Sequence, residues 1–350
     1  MTKKKYIAIS ILIVIFVFGG LFYGGIFDFQ AKEATNTVKS GVTKDCTSTP
    51  WVVAQKKDFF KKYGVNFKDV GQIAPPQRKA AFLSGQTNVF EEHPNGIINL
   101  IKSGAKIRAV AVIGAEPVNQ TERYDLKYHM HYLVKDGGLI KNADDLKKFK
   151  EKNNRKIKIG VAATGICADL EATAYLNKLN ISKDDYEFIV INDDQQEQSL
   201  QQGLIDIASL HPPFFLKAEK DGGVNVLFTS TDAFGPAAGI TLLAFSEDFI
   251  NKYPGTVEDF IRAYTDSTRW SNDHRDEAGK LTAEFIDLPY TSNVHWYSPS
   301  NAIDDTSKAY IQQWIDAMVE NGQLKKGEIT VDDIVTYKFK DTWKTNLPDN

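Results

Sequence analysis

The residues able to do chemistry lie at turns. Thr47, Ser48 and Thr49 stand directly ahead of an apolar helical repeat, where hydroxyls and unpaired backbone N–H groups either cap the helix or hold a polar ligand. Thr164 and Gly165 repeat the arrangement. They follow the alternating strand of Ile157, Ile159 and Val161 and precede a helix whose apolar face runs through Leu170, Ala174, Tyr175 and Leu179. Glu91-Glu92-His93-Pro94 has the opposite character, because a carboxylate pair repels an anion unless it faces solvent or carries a proton. Beside Glu91, a ligand with a basic or hydrogen-bond-donating group is the better match. His211 ends a strand ahead of Pro212 and Pro213, which fix the backbone, and serves either as a packed polar residue or as a ligand contact. Phe90 and Phe234, with Trp51 and Phe214, offer ring faces to an aromatic ligand or to the core.

Metal chemistry has one candidate. His129-Met130-His131 alternates as a strand does, which puts both imidazoles on one face, yet no cysteine, aspartate or third histidine sits at ligand spacing beside them. Neither a metal nor a cofactor is expected.

Elements that place these turns follow one pattern. Strands are expected to end at Val42, to start at Val65, and to cover Thr87–Phe90, Ile107–Ile113, Tyr128–Val134, Phe188–Ile191, Leu204–Ser209, Val224–Phe228 and Ile240–Phe245. Helices fall between them, at Trp51–Tyr63, Arg78–Ser84, Ile97–Ile101, Asn142–Phe149, near Gln195–Gln202 and at Phe215–Lys220. Strand and helix in alternation predict an α/β protein with a parallel sheet covered on both faces. The end of the chain is helical, with Val257, Phe260, Ile261 and Tyr264 on one face and Tyr310, Ile311, Trp314, Ile315, Met318 and Val319 on another.

The first 37 residues differ in kind. Lys3, Lys4 and Lys5 precede Tyr6–Phe27, a run without a charge that is long enough to span a bilayer. Residues 6–27 are expected to anchor the chain to the exterior face of the membrane, or to be a cleaved signal segment that leaves it secreted or periplasmic. The 350 residues have room for two ordinary domains. A net charge of −3, with lysines and acids mixed along the chain, excludes a nucleic-acid footprint.

Four passages, in order, carry a family resemblance. They are Trp51–Val65, Arg78–Gln86, Ile159–Gly165, and Gln202–Asp206 leading to His211-Pro212-Pro213. Together they resemble the solute-binding proteins of ABC importers of the nitrate/sulfonate/taurine type, a group that includes receptors for thiamine pyrimidine precursors. The resemblance implies a type II periplasmic-binding-protein-like fold. Two α/β lobes, each a mixed, mainly parallel sheet flanked by helices, would follow the N-terminal segment of residues 1–37. Residues 38–135 begin lobe one, 136–238 form lobe two, and 239–350 return to lobe one and add the C-terminal helices. The chain would be a monomeric, non-catalytic receptor that closes on a small organic anion or zwitterion, such as a sulfonate, taurine, nitrate or bicarbonate, and delivers it to ABC permease subunits. A pyrimidine-precursor receptor or a biosynthetic enzyme of the same fold is the alternative.

The candidate ligand-binding residues are Thr47, Ser48, Thr49, Phe90 and Glu91 from one lobe, with Thr164, Gly165, Cys167, His211 and Phe234 from the other; at Glu91 the chain departs from the resemblance, which implies small residues after this strand. Two helix tips facing each other across the cleft can hold an oxyanion without a lysine or arginine. Cys46 and Cys167 would fall on opposite lobes, where a disulfide would lock the cleft, so free thiols are expected. A Cys167–His211 pair would suit nucleophilic chemistry, but sequence spacing leaves their distance open.

Overall fold

The computed structural model describes residues 37–116, 129–289, 298, 300–345 and 347. The expected membrane segment, residues 6–27, and the side chain of Cys46 lie outside this description. Among the described residues no helix is long and apolar enough to cross a membrane. The chain divides into residues 1–37 and one compact unit, Val38–Asn350.

Among the described residues, ten strands build three sheets. β1 (Thr37–Ser40) pairs with β2 (Asn66–Asp69). β3 (Val89–Glu92), β4 (Ile107–Gly114) and β10 (Thr241–Ser246) form a second sheet in the order β3-β10-β4. The third contains β5 (His131–Lys135), β6 (Ile157–Val161), β7 (Tyr186–Val190), β8 (Ile207–Leu210) and β9 (Val224–Thr229), in the order β7-β6-β8-β5-β9. β10 runs antiparallel to both of its neighbours, so β3 and β4 point the same way on either side of a reversed strand. In the larger sheet β6 is parallel to β7 and β8, whereas β5 is antiparallel to β8 and β9. Both of these sheets are therefore mixed.

Seven helices matter for the site and its support. They are α1 (Thr49–Lys56), α2 (Pro94–Lys102), α3 (Cys167–Lys178), α4 (Asp193–Gln201), α5 (Phe214–Asp221), α6 (Pro254–Asp273) and α7 (Asp305–Glu320). The single helix expected over Trp51–Tyr63 is broken: Asp58 takes a left-handed conformation, and a separate turn covers Phe59–Lys62. β3 ends two residues later than the apolar pattern suggests, because Glu91 and Glu92 pair with Leu243 and Leu242 of β10 and are buried.

Packing fixes the strand ends. Trp51 of α1 is buried among Phe67, Phe260 and Tyr264, with ring centroids 5.3–5.6 Å apart. α7 buries Ile311, Trp314, Ile315 and Met318 on one face, as the helical spacing predicts. Trp314 donates through its indole N–H to the Ala237 carbonyl, 2.8 Å away, so a core anchor also holds the approach to β10.

Candidate functional site: a buried acidic cleft

Carboxyl ends of strands from both sheets open on one cleft of about 670 Å³. β3 delivers Glu91, Glu92 and then His93; the turn after β6 delivers Ala162, Ile166 and Cys167; β7 leads to Asn192, Asp193 and Asp194; and β8 leads to His211. Ligand positions at strand ends are the rule in open α/β sheets. Of the ten residues singled out from the sequence, Thr47, Glu91, Cys167 and His211 line this cleft, and Ser48, Thr49, Phe90, Thr164, Gly165 and Phe234 do not.

Five of those six have other work. The Ser48 hydroxyl donates to the Asp45 carbonyl at 2.7 Å, and the Thr49 hydroxyl meets that of Thr282 at 2.7 Å. Phe90 packs edge-on to Phe82, and the Arg78 guanidinium lies 5.1 Å from its ring centroid. Phe234 packs against Trp314, beside a different hollow. Thr164 is exposed. Gly165, at φ +81°, makes a left-handed turn that favours glycine, and its carbonyl accepts from Asn99 Nδ2 at 2.8 Å.

Both helix tips are filled by the protein's own carboxylates. Asp45 Oδ1 accepts from the Thr47 backbone N–H at 2.8 Å and from the Thr47 hydroxyl at 2.5 Å. Across the cleft, Asp169 Oδ2 accepts from the Gly165 N–H at 2.7 Å. Burial lifts the Asp169 carboxyl to about 6 against those backbone hydrogen bonds. An oxyanion at either tip would meet a carboxylate already in place.

The acids on the floor are held tightly. Trp51 Nε1 donates to Glu91 Oε2. Arg78 donates to Glu92 Oε2 at 3.2 Å and to the Glu91 carbonyl at 2.6 Å. Burial raises the Glu91 carboxyl to about 7 although Arg78 and Trp51 favour its charged form, and it raises Glu92 as well. Gly96 makes room here, because a Cβ at that position would meet the Glu92 stem.

Four polar side chains cluster beside the acids. His93 Nδ1 donates to the Ile240 carbonyl at 2.8 Å, which leaves Nε2 as its lone-pair nitrogen. Its ring lies 4.4 Å from that of His129, which in turn is 5.1 Å from that of His211. Burial lowers His93 to about 3 and His129 well below the ordinary range, so both are neutral. Cys167, the first residue of α3, places Sγ 3.6 Å from His211 Nε2, and His211 Nδ1 lies 2.7 Å from Asp193 Oδ2. Burial pulls His211 down, but the Asp193 charge and hydrogen bond overcome it and hold the imidazole well above its usual value. Burial pushes the Cys167 thiol up to about 12, with His211 opposing.

Among the described residues, one group of three potential metal-donor side chains has its donor atoms within 4.8 Å of one another: His93, His129 and Cys167. The expectation that no third donor lies near His129 rested on sequence spacing; the fold brings His93, after β3, and Cys167, at the start of α3, beside it. His131 separates from His129. It stacks on Phe215 of α5 and bonds Glu219, with Nδ1 2.6 Å from Oε1. His93 entered only as part of the Glu91-Glu92-His93-Pro94 turn, and Arg78, Asp45 and Asp193 were not singled out as site residues. Only position betrays them, immediately after a strand or at a helix start.

The model of the NMT1-like family matches residues 31–287. The chain belongs to the NMT1-like family. No curated protein matches it. Solved structures share its fold at low identity. The ligand-binding component of an ABC-type import system from Staphylococcus aureus, solved with zinc bound, matches with a TM-score of 0.71 and 15% identity, over 89% of this chain and 100% of that one. The periplasmic aliphatic sulphonate-binding protein SsuA from Escherichia coli matches at 0.66 and 18%, over 87% and 98%. The periplasmic nitrate-binding protein NrtA from Synechocystis matches at 0.70 and 13%, over 90% and 92%. This NMT1-like chain thus carries the fold of periplasmic solute-binding components.

Proposed function

We propose that this protein is the extracytoplasmic solute receptor of an ABC importer, binding without turnover and closing two lobes on a small zwitterion. The lobes would comprise residues 38–135 with 239–350, and residues 136–238. The permease would be the partner, residues 6–27 the membrane anchor, and the receptor a monomer.

The cleft at the strand ends of both sheets carries this reading. Its lining favours one part of the solute range implied by the sequence. Among the described lining residues, six acidic side chains, on Asp45, Glu91, Glu92, Asp193, Asp194 and Asp287, face Lys44, Arg78 and the His211 imidazole, whose positive charge Asp193 favours. Nitrate or bicarbonate entering this field would be repelled, whereas an aminosulfonate such as taurine brings its own compensating charge. Its ammonium would meet Glu91, and its acidic end Lys44 and Arg78. An aminopyrimidine is the second reading, favoured by the Glu91 carboxyl near 7, which can both donate to and accept from a ring nitrogen and its amino group.

A thermal-shift screen of the purified full chain tests the assignment. Taurine or another amine-bearing acid is expected to raise Tm, with nitrate and bicarbonate inert. A rise with nitrate or bicarbonate alone would overturn the solute class, and no rise with any compound would overturn the receptor reading.

A further inference from the structure

We propose that His93, His129 and Cys167 form a binding site for a zinc-class transition-metal ion on the floor of the cleft. The inference goes beyond solute recognition and does not depend on which solute the cleft takes.

Geometry carries it. The three donor atoms come from separate places in the chain, after β3, before β5 and at the first residue of α3, and lie within 4.8 Å of one another. One tetrahedral zinc ion, with Zn–N of about 2.0–2.1 Å and Zn–S of about 2.3 Å, holds its ligands about 3.3–3.6 Å apart. Side-chain shifts of about an ångström therefore close the set around an ion. All three residues are buried yet line the cleft, which provides an entry path.

The surroundings are those of a ligand set. The Ile240 carbonyl fixes His93 in the tautomer that presents Nε2, as a supporting hydrogen bond does for a metal-bound imidazole. Glu171 Oε1 stands 3.9 Å from His129 Nε2, and the Tyr132 hydroxyl donates to Glu171 Oε2 at 3.0 Å. His211 Nε2, 3.6 Å from the sulfur and held by Asp193, supports Cys167 through a hydrogen bond. Two imidazoles and a sulfur suit zinc and its neighbours and disfavour calcium or magnesium, which take oxygen ligands. Binding breaks the Cys167 S–H bond, forms a sulfur–metal bond and releases one proton to the buffer.

Cobalt(II), a coloured stand-in for zinc, tests the site on chelator-treated full-length protein without added solute. The expected result is one cobalt per chain, with the visible bands of a tetrahedral ion, a thiolate-to-metal charge-transfer band, and displacement by zinc. Cys167→Ser should abolish the charge-transfer band, and His129→Gln and His93→Gln should each weaken binding at least about tenfold. His274→Gln, at an exposed position after α6, should change neither. Circular dichroism identifies a variant that fails to fold, and the remaining variants then decide. No retained cobalt, an octahedral spectrum without charge transfer, or a charge-transfer band that survives in folded Cys167→Ser would overturn the proposal.

Discussion

Glu91 is buried against Trp51 and near Arg78, so its charge is costly until a cation arrives. An incoming ammonium group would stabilise the ionised form at the moment of binding, which makes this carboxyl a discriminator between amines and plain anions. Glu91→Gln is expected to weaken binding of an amine-bearing solute about 10- to 100-fold, the loss of one charge-assisted hydrogen bond, as read by calorimetry. Gly96 acts on the neighbouring acid. A methyl group there meets the Glu92 stem rather than its flexible end, so Gly96→Ala should displace the carboxylate from Arg78. The measurable outcome is a stability loss of about 1–3 kcal/mol in denaturant unfolding.

At the scale of elements, two contacts of the framework can be tested. Gly239 precedes β10 and passes so close to the backbone at Ala115 and Glu116 that a Cβ would collide with it, and main chain cannot swing aside as a side chain can. Gly239→Ala should lower Tm, whereas alanine at Gly255, where a Cβ meets nothing, should not destabilise. On α6, Asp266 accepts from Lys62 at 2.7 Å and from the Tyr63 hydroxyl at 2.7 Å. Burial opposes its charge, but these two hydrogen bonds hold the carboxyl below its ordinary value. Its folded value is the lower one, so its contribution is present above the unfolded value and is lost as pH falls through the acid range. Asp266→Asn should flatten that part of the stability-versus-pH curve, and an unchanged acid limb would refute the linkage.

Much of this framework was legible in the sequence, because alternation and helical spacing report which face is buried. β6 buries its alternating apolar residues, β9 matches its expected bounds although Val226 is exposed, and the buried face of α7 was visible in its repeat. Boundaries failed where polar residues were buried. Glu91 and Glu92 read as a turn, yet ladder pairing to β10 extends β3 through them. The turns that form the cleft were visible for the same reason as the strands, but the occupants of the helix tips were not. Closure of Asp169 onto the Gly165 N–H depends on the left-handed glycine. His93, His129 and Cys167 are separated by many residues, and no local pattern brings them together.

Across the whole compact unit, the cleft is bridged at its edge by α2. Asn99 donates to the Gly165 carbonyl, and Asn95 donates to that of Ile166, so the segment after β3 holds the tip of α3. Asn99 does not line the cleft, and its effect on a solute would come through closure alone. Asn99→Ala is expected to weaken solute binding several-fold while leaving the preference among solutes unchanged; a change in preference would place it at the ligand instead. Closure of two lobes on a solute whose amine meets Glu91 is the central claim. The most direct measurement is calorimetric titration of taurine and of ethanesulfonate, its counterpart without the amine, into the full chain and into Glu91→Gln. Taurine should bind the native protein at least about tenfold more tightly, with the difference collapsing in Glu91→Gln. Equal binding of the two, or a preference for ethanesulfonate, would contradict the account.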